Sequence, residues 1–201
     1  MRKIAVFASG SGSNFESIAN AIQVKQLNAE ISLLVCDNPK AYVIQRAKQQ
    51  QIPAFIFSPK DYENKEAFET RILDKLEEYQ VDFIVLAGYM RLIGSTLLSA
   101  YSKRIVNIHP SLLPSFPGKD AIGQAFQAGV KVTGVTVHFV DEGMDTGPII
   151  AQKAVDVRNG DTRDTLQARI QEVEHRLFPA VLQELLQKQL MEGLQECLSE
   201  R

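Results

Sequence analysis

Short apolar runs alternate with amphipathic stretches over roughly the first half of the chain. The apolar runs span residues 3–8, 31–36, 54–57 and 82–87. The clearest amphipathic stretch is 64–79, whose apolar face holds Phe68, Ile72, Leu76 and Tyr79. Continuous apolar strands that are joined by helices are typical of a parallel sheet covered on both faces. The pattern therefore predicts an α/β fold with a doubly wound, mainly parallel sheet.

The second half of the chain shows a more mixed pattern. A strand is predicted at 104–108, residues 133–140 alternate as a half-buried strand does, and 149–157 predict another strand. A long helical segment begins at about Thr162. There are no repeats, no low-complexity linker and no convincing domain boundary. Because 201 residues with 45% hydrophobic content can bury a sizeable core, we expect one domain over 1–201.

The first apolar run leads into the sequence ASGSGSN at residues 8–14. Apolar positions recur at helical spacing after it, so the segment predicts a strand, a tight turn and a helix. The start of a helix presents backbone N–H groups that lack partners, and these groups bind anions. Gly12, Ser13 and Asn14 lie closest to the predicted helix start, and we expect an anion beside them.

The spacing of the turn residues discriminates among anions. A dinucleotide turn, G-x-G-x-x-G, needs glycine where Phe15 stands, so a pyrophosphate is disfavoured. A P-loop is absent because the Gly118–Lys119 pair is followed by Asp120, and no serine lies in G-x-S-x-G. The turn fits a single phosphate. An equally compatible interpretation is a plain strand-to-helix turn in which Ser13 or Asn14 caps the helix.

Polar residues also follow the predicted strands of the second half. Asn107 and His109 lie two positions apart at a strand end and therefore project towards one face. Asp145 stands between two glycines in the loop 141–148, after another strand. If Asp145 contacts His109, the carboxylate holds the imidazole, raises its pKa and favours its protonated form. Each residue alone is more typical of an ordinary turn or strand end, but together they favour a catalytic site.

A metal site is a further possibility for the same residues. His109, His138 and Asp145 could supply two imidazoles and a carboxylate. They lack helical H-E-x-x-H or H-x-x-x-H spacing and an accompanying pair of thiolates, so we expect no metal. His138 lies between two apolar residues on an alternating strand, and we expect it to be structural or to support the site residues from behind.

Charge and cysteine content limit the partners and the compartment. A net charge of −2 and a pI near 6.0 give no electrostatic footprint for nucleic acid or an anionic membrane, so small molecules are the expected partners. We expect neither secretion nor membrane insertion, because the N-terminus has no long apolar h-region and no apolar run approaches the roughly 20 residues of a membrane-spanning helix. Cys36 and Cys197 lie far apart without a C-x-x-C motif, which fits a reducing cytoplasm.

Several motifs together resemble one enzyme family. They are SGSGSN at 9–14, AGYMRL at 87–92, NIHPSLLP at 107–114, FPG at 116–118 and DEGMDTGP at 141–148. With them, nearly the whole chain resembles the folate-dependent formyltransferases, and the 9–14 motif selects the phosphoribosylglycinamide formyltransferases of purine biosynthesis. The resemblance implies a formyltransferase fold with a Rossmann-like N-terminal half that binds phosphate and a C-terminal half that binds folate and carries the catalytic groups.

The resemblance also implies a reaction and a set of roles. The formyl group of 10-formyltetrahydrofolate passes to the primary amine of glycinamide ribonucleotide, giving formylglycinamide ribonucleotide and tetrahydrofolate. The implied catalytic residues are Asn107, His109 and Asp145. The implied substrate-binding residues are Gly12, Ser13 and Asn14 for the phosphate, and Gln171, Glu172, Val173 and Glu174 for the ribose and glycinamide. The implied folate-binding residues are Lys65, Met90, Arg91, Leu92, Ile93, Asn107, Asp141, Glu142, Gly143, Met144 and Asp145.

Two details qualify this transfer of roles. The pterin pocket of the family uses mainly backbone groups. Lys65 stands where arginine is common in the family, and a lysine lacks the bidentate fork of a guanidinium. We assign no role to residues 119–124.

The chemistry of formyl transfer suits the residues themselves. The reaction passes through a tetrahedral intermediate with a developing oxyanion, which needs hydrogen-bond donors placed in advance. Asn107 offers an amide N–H, protonated His109 offers a charged donor, and Asp145 stabilises the imidazolium. The substrate amine is the nucleophile, so no serine or cysteine nucleophile is required.

Other functions remain compatible with the sequence. One is a folate formyl-hydrolase or a formyltransferase with another amine acceptor. Related enzymes of those kinds carry an additional N-terminal or C-terminal domain, and we expect neither here, because the first strand begins at residue 3 and the chain ends at 201. Another is a non-catalytic sensor of a phosphorylated ligand. A monomer and a homodimer are both compatible with the sequence.

Overall fold

The computed structural model describes the backbone of residues 1–199 and the side chains of residues 1–188. Within this part of the chain there are seven strands and six α-helices, which alternate except that the seventh strand follows the sixth directly. The strands are β1 (Arg2–Phe7), β2 (Ala29–Cys36), β3 (Ala54–Ile56), β4 (Phe83–Leu86), β5 (Ile105–His109), β6 (Val132–Phe139) and β7 (Ile149–Asp156). The helices are α1 (Ser13–Gln23), α2 (Val43–Gln49), α3 (Lys65–Glu78), α4 (Ser95–Ala100), α5 (Ala121–Gln127) and α6 (Arg163–Ser199), with a 3₁₀ turn at Pro59–Asp61.

Every strand predicted from an apolar run is present, and so are the helices predicted after residue 14, over 64–79 and from about Thr162. Two helices were not predicted, α4 and α5, whereas α2 lies in the amphipathic stretch expected between the runs 31–36 and 54–57. The two unpredicted helices have six and seven residues, about two turns or less, which is too short for the apolar period to emerge.

The strands form one sheet in the order β3-β2-β1-β4-β5-β6-β7. Strands β1 to β5 pair in parallel, whereas β6 pairs antiparallel with both β5 and β7. The prediction of a doubly wound, mainly parallel sheet is confirmed. The chain proceeds to one side of β1 through β2 and β3, and then returns to the other side through β4. Ligands of such sheets bind beyond the carboxyl ends of the strands at this switch point.

Two apolar layers cover the sheet, as the continuous apolar strands predict. Ile4 and Val6 of β1 face the layer formed with α1, α2 and α6, while Ala5 and Phe7 face the layer formed with α3 and α4. All four side chains are fully buried. The rigid sheet therefore fixes the positions of the loops at its carboxyl edge, where the predicted site residues lie.

No helix in the described part of the chain is both long and apolar enough to span a lipid bilayer. Cys36 is a buried free thiol at the end of β2, and burial raises its pKa. Cys197 lies outside the residues whose side chains are described.

Candidate active site

A cavity of about 590 Å³ opens at the carboxyl edge of the sheet. Its wall combines the turn after β1, the loop after β4, the end of β5, the loops after residues 116 and 140, and one face of α6. Residues 10–14 are called the glycine loop below, and residues 88–93 the Gly88 loop. Asn107, His109, His138 and Asp145 together are called the polar corner.

The polar corner arises where β5 and β6 pair. Asn107 and His138 are directly opposite each other in the antiparallel register. The amide nitrogen of Asn107 lies 3.2 Å from Nε2 of His138 and donates to Oδ1 of Asp145 at 3.4 Å. Nε2 of His138 is itself 3.6 Å from Oδ1 of Asp145. One carboxylate oxygen thus faces both the amide and the imidazole.

His109 occupies the inner side of the corner and is only 5% exposed. Its Nδ1 lies 3.4 Å from Oδ2 of Asp145, and its Nε2 lies 2.9 Å from the backbone carbonyl of Phe116. Both ring nitrogens therefore face oxygen acceptors, which a doubly protonated imidazole satisfies. The predicted approach of Asp145 to His109 across 36 positions of sequence is present in the structure.

Asp145 is held by a tight turn, with a positive φ of 58°. The backbone N–H of Gly118 donates to its Oδ2 at 2.7 Å. Burial raises the pKa of Asp145, but the hydrogen bond with His138, the Gly118 N–H and the charges of His109 and His138 outweigh burial, so the net pKa is lowered. The carboxylate is therefore ionised at neutral pH and places a negative charge between two histidines.

The glycine loop leads into α1 without a side-chain cap. Gly12 is the N-cap residue and has a φ of 75°, in the left-handed region that favours glycine. A Cβ at this position would collide with Val43. The alternative in which Ser13 or Asn14 caps the helix is wrong, because no side chain makes a capping hydrogen bond to α1. The start of this helix is left available to an anion instead.

Helix α6 closes the cavity beside the glycine loop. Asn14 donates from its amide nitrogen to Oε2 of Glu174 at 3.1 Å. Glu174 is 7% exposed, and its burial raises its pKa to about 7 despite the hydrogen bond from Asn14. Gln167, Gln171 and Glu174 line the cavity because their spacing of four and three residues puts them on one helical face. Glu172 and Val173 fall between these positions and do not line the cavity.

The Gly88 loop forms the opposite wall of the cavity. Ser9 holds this loop, since its hydroxyl accepts from the Met90 N–H at 2.9 Å and its own N–H donates to the Gly88 carbonyl at 3.1 Å. Met90, Leu92 and Met144 line the cavity and are 68%, 49% and 51% exposed. Exposed apolar side chains beside the backbone groups of a loop suit a flat heteroaromatic ring.

Two of the proposed folate-binding residues lie outside the cavity wall. Lys65 is at the start of α3, with its Nζ 3.9 Å from Oε1 of Glu69, and Glu142 is exposed and does not line the cavity. Arg91 does line the cavity, but its Nε donates to Oδ2 of Asp37 at 2.6 Å. The guanidinium is therefore engaged with the protein itself.

Sequence reasoning gave His138 only a structural or supporting place, and the structure shows that it contacts both Asn107 and Asp145. Its position depends on the β5–β6 register, and residues flanking a histidine on a strand do not reveal which residue lies opposite. No group of three or more histidine, cysteine, aspartate or glutamate side chains suited to a metal ion occurs among the described residues.

The chain resembles known proteins over most of its length. Residues 2–182 match the formyl transferase family model. The phosphoribosylglycinamide formyltransferase of Bacillus subtilis is 59% identical over 186 residues, which cover 92% of this chain and 95% of that protein. A trifunctional purine biosynthetic protein of Gallus gallus is 43% identical over 90% of this chain, which spans 18% of that longer protein.

Solved structures agree with the sequence relatives. Glycinamide ribonucleotide transformylase 1 of Geobacillus kaustophilus is 62% identical with a TM-score of 0.91, over 92% of this chain and 99% of that one. Phosphoribosylglycinamide formyltransferase of Bacillus halodurans is 58% identical with a TM-score of 0.90, over 92% and 95% of the two chains. The polar corner, the cavity and these relatives lead to one assignment: the chain belongs to the formyl transferase family.

Proposed function

We propose that this chain transfers the formyl group of 10-formyltetrahydrofolate to the primary amine of glycinamide ribonucleotide. The products are formylglycinamide ribonucleotide and tetrahydrofolate, in the biosynthesis of purines. The observation that carries this assignment is the continuity of the cavity, which runs from the glycine loop past the polar corner to the Gly88 loop. A phosphorylated amine and a folate that enter from the two ends meet at the polar corner.

The acceptor binds through the glycine loop and α6. Its phosphate lies against the backbone of Gly12, Ser13 and Asn14, where the positive end of α1 favours an anion. Gln171 and Glu174 face the ribose and the glycinamide end from α6. Anchoring the phosphate at one end restricts the position of the amine at the other, and this restriction lowers the entropic cost of reaching the transition state.

The folate binds as a co-substrate between the Gly88 loop and the loop 141–145. Backbone groups of 90–93 hydrogen-bond the edge of the pterin, and Met90, Leu92 and Met144 cover its faces. The formyl group is thereby presented to the polar corner. Transfer requires no metal, because the donors of the corner act on the carbonyl oxygen directly.

The polar corner provides what the transfer needs. The amine nitrogen attacks the formyl carbon, a C–N bond forms, and the carbonyl oxygen becomes an oxyanion that accepts from Asn107 and protonated His109. In the free protein the Nε2–H of His109 contacts the Phe116 carbonyl. A charged oxyanion is a stronger acceptor than this carbonyl, so it takes over the hydrogen bond from His109. The bond between the formyl carbon and N10 then breaks, and the proton lost by the amine is taken up by N10. Asp145 stabilises the imidazolium throughout.

The organisation of the chain fits a small-molecule enzyme. Residues 1–201 act as one formyltransferase domain, in which the N-terminal half holds the phosphate and the C-terminal half holds the folate and the catalytic groups. The enzyme works in the cytoplasm on small molecules rather than on nucleic acid or membranes. A monomer and a homodimer both fit this proposal, and sedimentation in solution distinguishes them.

The test is a reconstitution with the purified protein, glycinamide ribonucleotide and 10-formyltetrahydrofolate. Formation of a folate product, followed by absorbance, is expected only when the ribonucleotide is present, and the Asp145→Asn variant is the matched inactive control. Folate turnover without an acceptor identifies a hydrolase instead. Turnover with another amine but not with the ribonucleotide identifies a different acceptor, and ribonucleotide binding without turnover identifies a sensor.

A further inference from the structure

Helix α2 packs behind the glycine loop and holds two of its carbonyl groups. The backbone N–H of Val43 donates to the Gly10 carbonyl at 3.1 Å, and Nε of Arg46 donates to the Ser11 carbonyl at 2.9 Å. Neither residue of α2 lines the cavity, whereas the glycine loop does. The cavity therefore lies on the opposite side of the loop from α2.

These two hydrogen bonds fix the direction of the next N–H groups. The peptide groups that follow Gly10 and Ser11 are planar and trans, so in each group the N–H points away from the C=O. When α2 holds both carbonyls on its side, the N–H groups of Ser11 and Gly12 are directed towards the cavity side of the loop. Arg46 thereby orients a donor that an anion uses, although it does not reach the cavity itself.

Arg46 also neutralises a negative charge near the glycine loop. Glu16 lies in the first turn of α1, close to the site of the expected phosphate, and its carboxylate forms an ion pair with Arg46. The arginine side chain is 20% exposed, and its guanidinium stacks 5.0 Å from the centre of the Tyr42 ring. The charges of this pair also act on His175: burial lowers the pKa of His175, Glu16 raises it and Arg46 lowers it, and the net pKa is lowered. An unpaired Glu16 would repel a phosphate, and the ion pair cancels much of that repulsion.

We propose that Arg46 is a positioning residue for the phosphorylated acceptor: it orients the glycine loop through Ser11 and neutralises Glu16. This inference rests on the proposed function, because it assumes that the acceptor's phosphate binds at the glycine loop. Arg46 acts on the acceptor alone, since it contacts neither the polar corner nor the Gly88 loop.

Steady-state kinetics with both substrates test this role. Arg46→Ala is expected to raise KM for glycinamide ribonucleotide about 10-fold or more, because a charged hydrogen bond to the loop is lost and Glu16 is left unpaired. KM for 10-formyltetrahydrofolate and kcat are expected to stay within about twofold. Arg71→Ala is the matched control, since Arg71 makes an exposed ion pair with Asp74 on α3. It is expected to change neither KM.

A second variant separates the two parts of the role. Arg46→Ala combined with Glu16→Gln removes the repulsive charge, and it is expected to recover about threefold or more of the lost affinity for the ribonucleotide, measured by calorimetry. Glu16→Gln alone is expected not to weaken binding. Thermal midpoints of all variants are measured in parallel, so that the comparison uses folded protein.

The outcomes distinguish a failure of the Arg46 role from a failure of the proposed function. If the unmodified protein does not formylate glycinamide ribonucleotide, the proposed function fails. If it does, but Arg46→Ala leaves KM for the ribonucleotide unchanged or raises both KM values equally, the positioning role of Arg46 is overturned. A double variant that binds as weakly as Arg46→Ala overturns the neutralisation of Glu16.

Discussion

The polar corner and the glycine loop lie in the same cavity but are built from different parts of the chain. The corner consists of the side chains of Asn107, His109, His138 and Asp145, whose mutual contacts are 3.2–3.6 Å. The glycine loop consists of backbone groups, and its shape depends on the positive φ of Gly12. One region presents chemistry that only particular side chains carry, and the other presents N–H groups that every residue except proline has.

The difference explains why each region tolerates different changes. Replacing one functional group in the corner removes a charge or a donor that the proposed mechanism uses directly. In the glycine loop, a side-chain change leaves the N–H groups in place unless it alters the backbone or brings charge near the anion. The corner is therefore expected to govern turnover, whereas the loop governs affinity for the acceptor.

The largest effect is expected at Asp145. Asp145→Asn keeps the shape of the side chain but removes the charge that stabilises protonated His109. Turnover is expected to fall about 10²-fold or more with little change in either KM, since the lost interaction acts in the transition state. Asn107→Ala and His109→Ala are expected to be similarly damaging. Steady-state kinetics measure all three losses.

A double variant tests whether Asp145 acts through His109. His109→Ala combined with Asp145→Asn is expected to be scarcely slower than His109→Ala alone, because residues that act as a unit are strongly non-additive. Losses that multiply would show two independent roles. If Asp145→Asn lowers the thermal midpoint without affecting the turnover of the folded fraction, the carboxylate is structural.

The next largest effect is expected at Glu174, whose carboxylate accepts a hydrogen bond from Asn14 of the glycine loop. Its folded pKa of about 7 lies above the ordinary value of 4.5, so the stability it contributes is complete below about pH 4.5 and is lost as the pH rises to about 7. The shift corresponds to about 3 kcal/mol. The Glu174→Gln variant has no carboxyl group to titrate at this position, so it does not lose this stability as the pH rises. The free energy of unfolding of the variant minus that of the unmodified protein is therefore expected to increase through this window and then level off.

Denaturant unfolding at several pH values measures that difference. Glu172→Gln is the matched control, because Glu172 lies on the exposed side of α6 and is expected to show no such trend. A constant difference between the Glu174→Gln variant and the unmodified protein from pH 4 to 8 contradicts the raised pKa.

A smaller effect is expected from charge at the glycine loop. Ser13→Asp places a carboxylate at the start of α1, where it competes with the acceptor's phosphate for the same N–H groups and repels it. Affinity for glycinamide ribonucleotide is expected to fall about 10-fold, while affinity for the folate is nearly unchanged. Calorimetry with each ligand separately checks this. Equal losses for both ligands indicate a folding defect, and an unchanged affinity for the ribonucleotide rules out a phosphate at this loop.

The two regions were also unequally predictable from sequence. The glycine loop is local: the strand, the turn and the helix around Gly12 lie within 22 residues, so composition and spacing suffice to predict it. The fold class followed from the apolar runs for the same reason. The strand order could not be derived, because no local pattern states which strands are neighbours.

The polar corner depends on contacts that are distant in sequence. Asn107 and His109 could be assigned to one face from alternation alone, and the approach of Asp145 was a hypothesis about two strand edges. The contacts of His138 required the antiparallel register of β5 and β6, which sequence alone does not specify. The pair between Arg46 and Glu16 was missed because it depends on how α1 and α2 lie relative to each other, which no local pattern states.

The smallest effect is expected at Arg91, which tests whether the Gly88 loop resembles the glycine loop in using its backbone. If backbone groups bind the pterin, Arg91→Ala leaves KM for the folate within about threefold. The guanidinium instead supports Asp37, whose side chain is only 7% exposed, so its loss is expected to lower stability. Because Arg91 itself is 41% exposed, we expect about 1 kcal/mol, or about 2–4 °C in thermal midpoint. Gly88→Val changes the backbone and not a binding side chain. Gly88 has a φ of 79°, so a β-branched residue at this position is expected to distort the loop and to weaken folate binding. Loss of folate binding in Arg91→Ala but not in Gly88→Val would show that the side chain, not the backbone, binds the pterin.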